Sequence, residues 1–477
     1  MIKKSSNKEF QELPDSWKVV KLGTVIDIQG GSQPPKKHFI YEPQEGYVRL
    51  LQIRDFGDKP APTYVPKDMV TKFCTKEDIF IARYGASLGR IITGMEGAYN
   101  VALAKVIFDK ETFFSKYFFY LLQTPYFQTP IHMISRSAQN GFNKGEIFPI
   151  KIPMAPINEQ KRIVEEIEKQ FSRLDEAVEN LKRVKANLKR YKASVLKAAV
   201  EGKLTEEWRK ANSGVEPAEK LLDRILVERR KKWEKAELAK MKAKGKEPKD
   251  DKWKIKYKKP ILLDTSDFKQ LPNRWVWTNI SHIAESMKNG IYKPRDAYTK
   301  DGVACLRMYN IEDGTIVWKN IKRMKLSDAE TEEYKLLSGD LLVNRVNSRE
   351  LVGKAAPITD DLELCVFESK NIRVRLLSNF IVPEFVSFRI FVEGQAFFSR
   401  NAQQVVGMAS ISQPQLASLS IPLPPYNEQK TIIMIAKRHS SFIDKLENEI
   451  AKNLKRAVRL RQSILKKASL LQKQKNF

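Results

Sequence analysis

Apolar residues in two stretches of the chain recur in steps of three and four: Val164, Ile167, Phe171, Leu174, Val178, Leu181, Leu188 and Val195 in one, Ile443, Leu446, Ile450, Leu454, Ala457 and Ile464 in the other. That spacing predicts two long amphipathic helices. Pro156 and Pro425 stand just upstream, Asn158 and Asn427 are placed to cap, and Glu159 and Glu428 suit the positive end of a helix dipole. The first helix, Asn158 to Val200, would be about 65 Å long at 1.5 Å per residue. Its polar face mixes signs, which favours helix pairing over a membrane surface. Elsewhere the runs at 19–28, 48–53, 79–84 and 102–108, and again at 275–280, 304–311, 340–346 and 372–377, have strand texture. One aromatic helical piece accompanies each set, at 115–123 and 383–392. The fold class is therefore α+β, with a twisted, partly antiparallel sheet in each of two domains.

The two sets are copies. Leu13-Pro14-Asp15-Ser16-Trp17 returns as Leu271-Pro272-Asn273-Arg274-Trp275, an offset of 271 − 13 = 258. Ser135, Arg136, Ala138 and Gln139 return as Ser399, Arg400, Ala402 and Gln403, offset 264. From Ile152-Pro153 onward the offset locks at 269, pairing Asn158-Glu159-Gln160-Lys161 with Asn427-Glu428-Gln429-Lys430, Asp175 with Asp444 and Arg190 with Arg459. A gapless match implies helix, since an insertion there would rotate the buried stripe. The resulting boundaries are 1–154 and 269–424 for the two domains, 155–200 and 425–477 for the helices, and 201–268 for a single-copy connector. Within the connector, 221–246 reads as helical and 248–260 as a basic linker.

Composition narrows the partner. At 477 residues, 42% hydrophobic and a mean hydropathy of −0.44, the chain has the texture of a soluble globular protein of several domains. Lys plus Arg number 85 against 57 Asp plus Glu, leaving +28, so a polyanion is the first partner to consider, nucleic acid before membrane. No apolar run has the length of a signal peptide or a membrane span, and a reducing cytoplasm fits the three scattered cysteines Cys74, Cys305 and Cys365.

Catalytic motifs do not emerge. Pro424-Pro425-Tyr426 follows Leu423, where an amino-methyltransferase loop needs a polar acceptor, and Gly85-Ala86-Ser87-Leu88-Gly89-Arg90 lacks the Gly-Lys-Ser/Thr end of a phosphate loop. His38, His132, His282 and His439 are isolated, so no metal site is expected. What remains is binding. Polar and cationic residues at strand ends and loops are the candidates for double-stranded DNA: Arg49, Gln52, Arg54, Arg83, Tyr84, Ser87, Arg90, Arg136, Gln139, Asn140, Asn143 and Lys144 in the first copy. The second copy offers Arg307, Asn310, Arg345, Asn347, Arg349, Lys354, Arg400, Gln403, Gln404 and Gln413. Arg reads guanine, Asn and Gln read adenine, and all of them also hold phosphates.

The Asn158-Glu159-Gln160-Lys161-Arg162-Ile163-Val164 run after Ile152-Pro153, its echo at Pro424 to Gln429, Leu-Pro-x-x-Trp opening each half, and Glu201-Gly202-Lys203-Leu204-Thr205-Glu206-Glu207-Trp208 after the first helix resemble the specificity subunit of a type I restriction-modification system. The resemblance implies two target recognition domains, each reading half of a bipartite, asymmetric DNA site, and two long antiparallel helices forming a coiled-coil-like spacer with a pseudo-two-fold internal repeat. It implies a non-catalytic role beside two methyltransferase and two restriction subunits, with no cofactor in this chain and with SAM, ATP and Mg belonging to those partners. Two other readings stand at this point: a self-sufficient adenine methyltransferase, and an architectural coiled-coil protein that holds DNA by charge alone.

Overall fold

Short runs of β-branched and aromatic residues, bounded by Gly, Asn and Pro, form the strands, and those of one four-stranded sheet pair in the same order twice. The structure, a computed structural model, describes residues 10, 13–57, 59–137, 141–401, 403–405 and 408–468. The chain divides into two compact units, Met1–Val184 with Glu449–Phe477, and Lys185–Asn448.

In unit 1 an antiparallel sheet runs in the order Ile26–Gly30, Leu103–Phe108, Ile79–Ala82, Ile91–Ile92. A second sheet runs Tyr64–Pro66, Tyr47–Leu51, Gly97–Tyr99, Phe73–Cys74, its middle pair parallel. Unit 2 repeats the first sheet as Ala284–Asn289, Asn371–Leu376, Asp340–Asn344, Ala355–Pro357. Its second sheet again contains one parallel pair, Val303–Leu306 with Cys365–Phe367. Ile79 and Ile81 face one apolar cluster while Phe80 and Ala82 face another. Covering both faces is why that strand reads as a continuous apolar run rather than an alternating one.

Each domain closes by pairing its first strand with its last, Lys18–Lys21 with Lys151–Met154 and Val276–Asn279 with Ser420–Leu423. Closure sets the opening tryptophan against the first turn of the helix beyond the last strand. Trp17 Nε1 donates to Glu159 Oε2 at 2.7 Å and Trp275 Nε1 to Glu428 Oε2 at 2.9 Å. The neighbouring glutamine pins the middle of the domain. Gln160 accepts from the Phe114 N–H at 2.8 Å and donates to the carbonyls of Ala155 and Thr112; Gln429 accepts from Val382 N–H at 2.9 Å and donates to Pro424 and Phe380.

The long helices are Ile157–Val200 and Tyr426–Ala468. They run antiparallel. In unit 1, Ile163, Val164, Ile167 and Phe171 share a core with Ile464 and Leu465, and Arg461 binds Asp175 at 2.7 Å with its guanidinium 4.1 Å from the Phe171 ring centre. In unit 2, Lys192 faces Asp444 at 3.7 Å, and Tyr191 Oη meets His439 Nδ1 at 3.1 Å. The repeat exchanges the two ion pairs: 444 − 175 and 461 − 192 both equal 269.

Several expected elements are shorter or differently ended. The run 19–28 is broken by a 3-10 turn at Leu22–Thr24, because Leu22 turns inward and is fully buried. The runs 48–53 and 304–311 stop as strands at Leu51 and Leu306, where side-chain caps bend the chain into Ile53–Phe56 and Met308–Asn310. The aromatic piece at 383–392 is a helix, Pro383–Arg389, that widens into a π turn at Ile390–Gly394. A further helix, Pro125–Ser137, with Pro130 inside it, packs Phe127, Ile131 and Ile134, spaced by four and three, on the core of unit 1.

The connector departs most from expectation. Gly202 ends the first long helix in the left-handed region at φ +71°, and a Cβ there would lie 2.8 Å from Pro272 and 2.9 Å from the Trp275 ring. From that turn, Thr205 Oγ1 and Arg209 Nη1 reach Glu428 Oε1 at 2.7 and 2.6 Å. Ala218, Leu221 and Ile225 of the helix Ala218–Ala243 are buried in the core of unit 2. The stretch 248–260 contains a 3-10 turn, Asp251–Lys256, and stacks its Trp253 on Trp233, so it is a folded part of the unit instead of a linker.

These contacts predict unequal costs for one substitution. Glu428→Gln removes a buried charge from Arg209 and lowers stability by about 3 kcal/mol, whereas Glu159→Gln weakens one charge-assisted hydrogen bond in a half-exposed place and costs about 1 kcal/mol. Hydrogen exchange resolved by unit, with urea titration, measures both; equal losses would contradict the difference in burial.

Candidate nucleic-acid interface

In unit 1 three loops meet at one end of the first sheet. The first begins at Gln52, whose N–H donates to Asp55 Oδ2 at 2.7 Å; Asp55 is buried, and Arg49 lies 3.6 Å from its other oxygen. Arg54 Nη2 and Gln52 Nε2 both donate to Thr63 Oγ1, at 2.8 and 3.3 Å. The second loop, residues 83–90, turns through Gly85 at φ +66° and carries Arg83, Tyr84, Ser87 and Arg90. Arg90 donates to the Phe56 carbonyl, which ties this loop to the first. Arg83 donates to the Phe142 carbonyl at 3.4 Å and lies over the Tyr84 and Phe142 rings, which ties it to the third. There Asn143 caps Lys144–Ile147, accepting from Glu146 N–H at 3.2 Å, and Lys144 pairs with Asp27. That ammonium holds the Asp27 carboxyl below its ordinary range, helped by the Ile28 N–H.

Unit 2 repeats the arrangement with other residues. Asn310 is 1% exposed: it accepts from Arg307 N–H at 3.0 Å and donates to the carbonyls of Val317 and Lys319. Arg307 donates to the Asn320 carbonyl at 3.1 Å and lies over Tyr309. Arg345 occupies the place of Arg83, following the equivalent strand and donating to the Ser369 carbonyl at 3.5 Å. Asn347 donates to Asn344 Oδ1 at 2.8 Å and accepts from Ser348 N–H at 2.9 Å. Gln413 donates to Asn289 Oδ1 at 3.0 Å at the same end of the sheet, and the Lys354 carbonyl accepts from Asn344 N–H. Arg349 and Arg400 are exposed; Arg400 lies on the helix Gln395–Asn401 and donates to the Ala396 carbonyl.

Arg136 lies on the helix Pro125–Ser137, and Gln403 and Gln404 on the strand Gln403–Val405. Gln139 and Asn140 lie outside the described residues. The set therefore sorts in two. Asn143, Asn310 and Asn347 direct their amides at protein partners and shape the loops, while Arg54, Arg90, Arg349 and Arg400 put guanidiniums on the surface.

No group of three or more His, Cys, Asp or Glu side chains could hold a metal among the described residues, and no described helix is long and apolar enough to cross a membrane. Burial pushes the thiol of Cys74 up to about 11 and those of Cys305 and Cys365 up to about 12, so each is a neutral core side chain near pH 7.

A family model described as the type I restriction modification DNA specificity domain matches residues 14–190 and 234–456. The chain belongs to that family. It is 25% identical over 479 aligned residues to the StySPI specificity subunit of Salmonella potsdam, covering 96% of this chain and 89% of that one. At 24% identity and the same coverages it also matches the EcoKI specificity subunit of Escherichia coli strain K12. The fold is shared, at 15% identity and a TM-score of 0.54, with the HsdS subunit of Thermoanaerobacter tengcongensis, over 96% of this chain and 98% of that one. Each matched range takes in one of the two repeated sheet systems and much of the long helix that follows it, and DNA recognition is the function of the chain.

One pair of loops has no place among the residues singled out from the sequence. Gly31 and Gly290 follow the strands Ile26–Gly30 and Ala284–Asn289 so closely against the neighbouring chain that a Cβ would lie 2.1 Å from the Tyr99 carbonyl and 2.2 Å from that of Glu368. The loops they open carry exposed Lys36 and Lys37 in unit 1, and exposed Tyr292 and Arg295 in unit 2. The Gly-Gly and Asn-Gly pairs, each with Pro and basic residues close behind, are the signal that marks them.

The sorting predicts that Asn310→Ala lowers the stability of unit 2 by about 1 to 3 kcal/mol, because the buried amide of Asn310 is lost and with it the partner of two carbonyls and an N–H. Its preference among DNA sequences should hold once it is folded. Urea denaturation and a binding-site selection measure the two separately, and a changed preference with unchanged stability would contradict the placement.

Proposed function

We propose that each unit reads one half of a bipartite, asymmetric DNA site, and that the paired long helices set the unspecified gap between the halves. The observation carrying this reading is the doubling itself: the strand order of the first sheet, one closing strand pair and one Trp–Glu and Gln anchor occur twice, with different loop residues on each copy. A duplicated frame with unlike loops suits two unlike half-sites. Base contacts would come from the loops around Arg54 and Arg90 in unit 1 and Arg349 in unit 2, with Arg83 and Arg345 positioning the loop backbone.

Chemistry would be supplied by partners. In this reading the chain is a non-catalytic scaffold in the cytoplasm for two methyltransferase subunits, which bring SAM, and two restriction subunits, which bring ATP-driven translocation and cleavage with Mg. The exposed apolar residues Met434, Phe442 and Val458 on the second long helix give such subunits a surface to cover.

Selection of bound duplexes from a random pool, with the chain assembled on its methyltransferase subunits, is expected to return two short motifs separated by a fixed unspecified gap. A single ungapped motif would overturn the reading. Arg54→Ala should relax one half-site and Arg349→Ala the other, each by about 1 to 3 kcal/mol where a base is contacted; blurring of both halves by one substitution would refute the assignment. Inserting about four residues, one turn or some 6 Å, into either long helix should lengthen the selected gap by one or two base pairs.

A further inference from the structure

The single-copy connector carries more charge than joining two domains requires. Residues 218–260 hold 17 Lys and Arg against 8 Asp and Glu, a net +9 out of the chain's +28. Its root is fixed in unit 2 by buried Leu221 and Ile225, and by Arg229 donating to the Ala284 carbonyl at 3.2 Å. Beyond that root the chain folds back on itself. Gly245, at φ +66°, stops the helix: Lys246 N–H bonds the Met241 carbonyl and Gly245 N–H that of Lys242, satisfying the last helical carbonyls. The returning segment then lies along the helix it came from. Trp253 stacks on Trp233 at 5.8 Å, Tyr257 meets Trp233 edge-on at 5.3 Å, and Arg229 donates to Tyr257 Oη at 2.5 Å.

The aromatic brace stiffens a hairpin whose tip, residues 235–249, contains six lysines and two glutamates and no buried residue. Lys235, Lys244, Lys246 and Lys249 have no carboxylate within 4 Å among the described residues. A stiff, extended, lysine-rich tip gathers positive charge against self-repulsion, and a polyanion alongside relieves it. Lysine offers a hydrated point charge without the planar fork that distinguishes bases, so the chemistry fits phosphate oxygens and not base edges.

The hairpin also sits away from the reading loops of its own unit. It docks at Ala284 and Glu285, where Lys232 pairs with Glu285 at 2.6 Å, whereas Gln413 and the buried Asn344–Asn371 pair lie at the Asn289 end of the same strand. Five residues of strand separate the two ends, roughly 17 Å. We infer that the connector hairpin is a second, sequence-independent DNA contact, gripping the sugar-phosphate backbone beside the half-site that unit 2 reads. The inference rests on the DNA-reading function proposed above and adds to it a contact on one side only, since the hairpin has no repeat among the described residues.

The test uses the full chain with Lys235→Gln, Lys244→Gln, Lys246→Gln and Lys249→Gln combined, and the same four positions changed to Arg. Binding to a fluorescent duplex of about 40 base pairs that lacks the selected motif is measured by anisotropy between 50 and 200 mM salt. The Gln variant should bind at least about tenfold more weakly, and the slope of log affinity against log salt should fall by about 2 to 4, near 0.9 for each phosphate no longer neutralised. The Arg variant should keep both. Motif selection should return the same gapped motif from the Gln variant, and its thermal midpoint should stay within a degree or two because the tip buries nothing. An unchanged salt slope with the gapped motif intact would overturn the hairpin contact while leaving the DNA-reading function standing. Failure of the unmodified chain to select any gapped motif would instead overturn that function. Loss of methyltransferase co-purification with an unchanged slope would assign the hairpin to an acidic protein face and overturn the DNA contact.

Discussion

A carboxylate at the first turn of each long helix, accepting the indole N–H of a tryptophan from the far end of its domain, is the constraint on which the rest depends. Glu159 is 142 residues from Trp17 and Glu428 is 153 residues from Trp275. Each bond therefore joins the beginning of a domain to the helix beyond its end. The adjacent glutamine, reaching Phe114 or Val382, adds a third point from the middle. Three points fix an orientation. A sheet held this way transmits the direction of its helix to the loops at its edge, and a spacer that moves its reader with it has value only under that rigidity.

The same closure is completed differently in the two units. Glu159 is half-exposed and has Ser16 as a further, long partner at 3.4 Å, whereas Glu428 is 1% exposed and also takes Thr205 and Arg209. Burying a carboxylate is costly unless a cation and hydrogen bonds replace the water it loses. The segment following Gly202 supplies both, and this explains why Gly-x-Leu-Thr-x-x-x-Arg stands directly after the first helix. What looks in the sequence like a tether is the lid on the anchor of unit 2.

The repeat, the two helices and most strands are legible in the sequence because they depend on local periodicity and on a gapless match. The 269-residue offset even carries the ion pairs, since Asp175, Lys192, Asp444 and Arg461 keep their partners when the copies are exchanged. For Glu159 and Glu428 the sequence points to an incomplete set of partners: their place at a helix start suggests the dipole, and only the closed domain brings an indole to them. The buried roles of Asn310 and Asn347 are equally invisible. An asparagine at a strand end has the same letter whether its amide faces solvent or the carbonyls of Val317 and Lys319, and the loop that supplies those carbonyls is not a local pattern. The aromatic brace of the connector is hidden because Trp233 and Trp253 sit twenty positions apart in a stretch whose lysines dominate any reading of composition.

That sorting of polar residues separates two tasks by their tolerance of motion. Reading a base edge, the role proposed above for the loops, needs donors and acceptors held to within a fraction of an ångström, and the loop backbones are tied down: Asn310 and Asn143 cap them, Arg83 and Arg345 hold carbonyls, and Gly31 and Gly290 let them leave the sheet in close contact with it. Holding a phosphate needs no such precision. A flexible ammonium follows the backbone at almost any rotation of the duplex, so lysines on a braced tip supply affinity with side chains too loosely held to discriminate. On the two proposals above, a chain that ties down the amides of its loops and leaves lysines without carboxylate partners on its connector places specificity and adhesion on different elements. The first can diverge from copy to copy through loop residues while the second stays independent of the sequence being read.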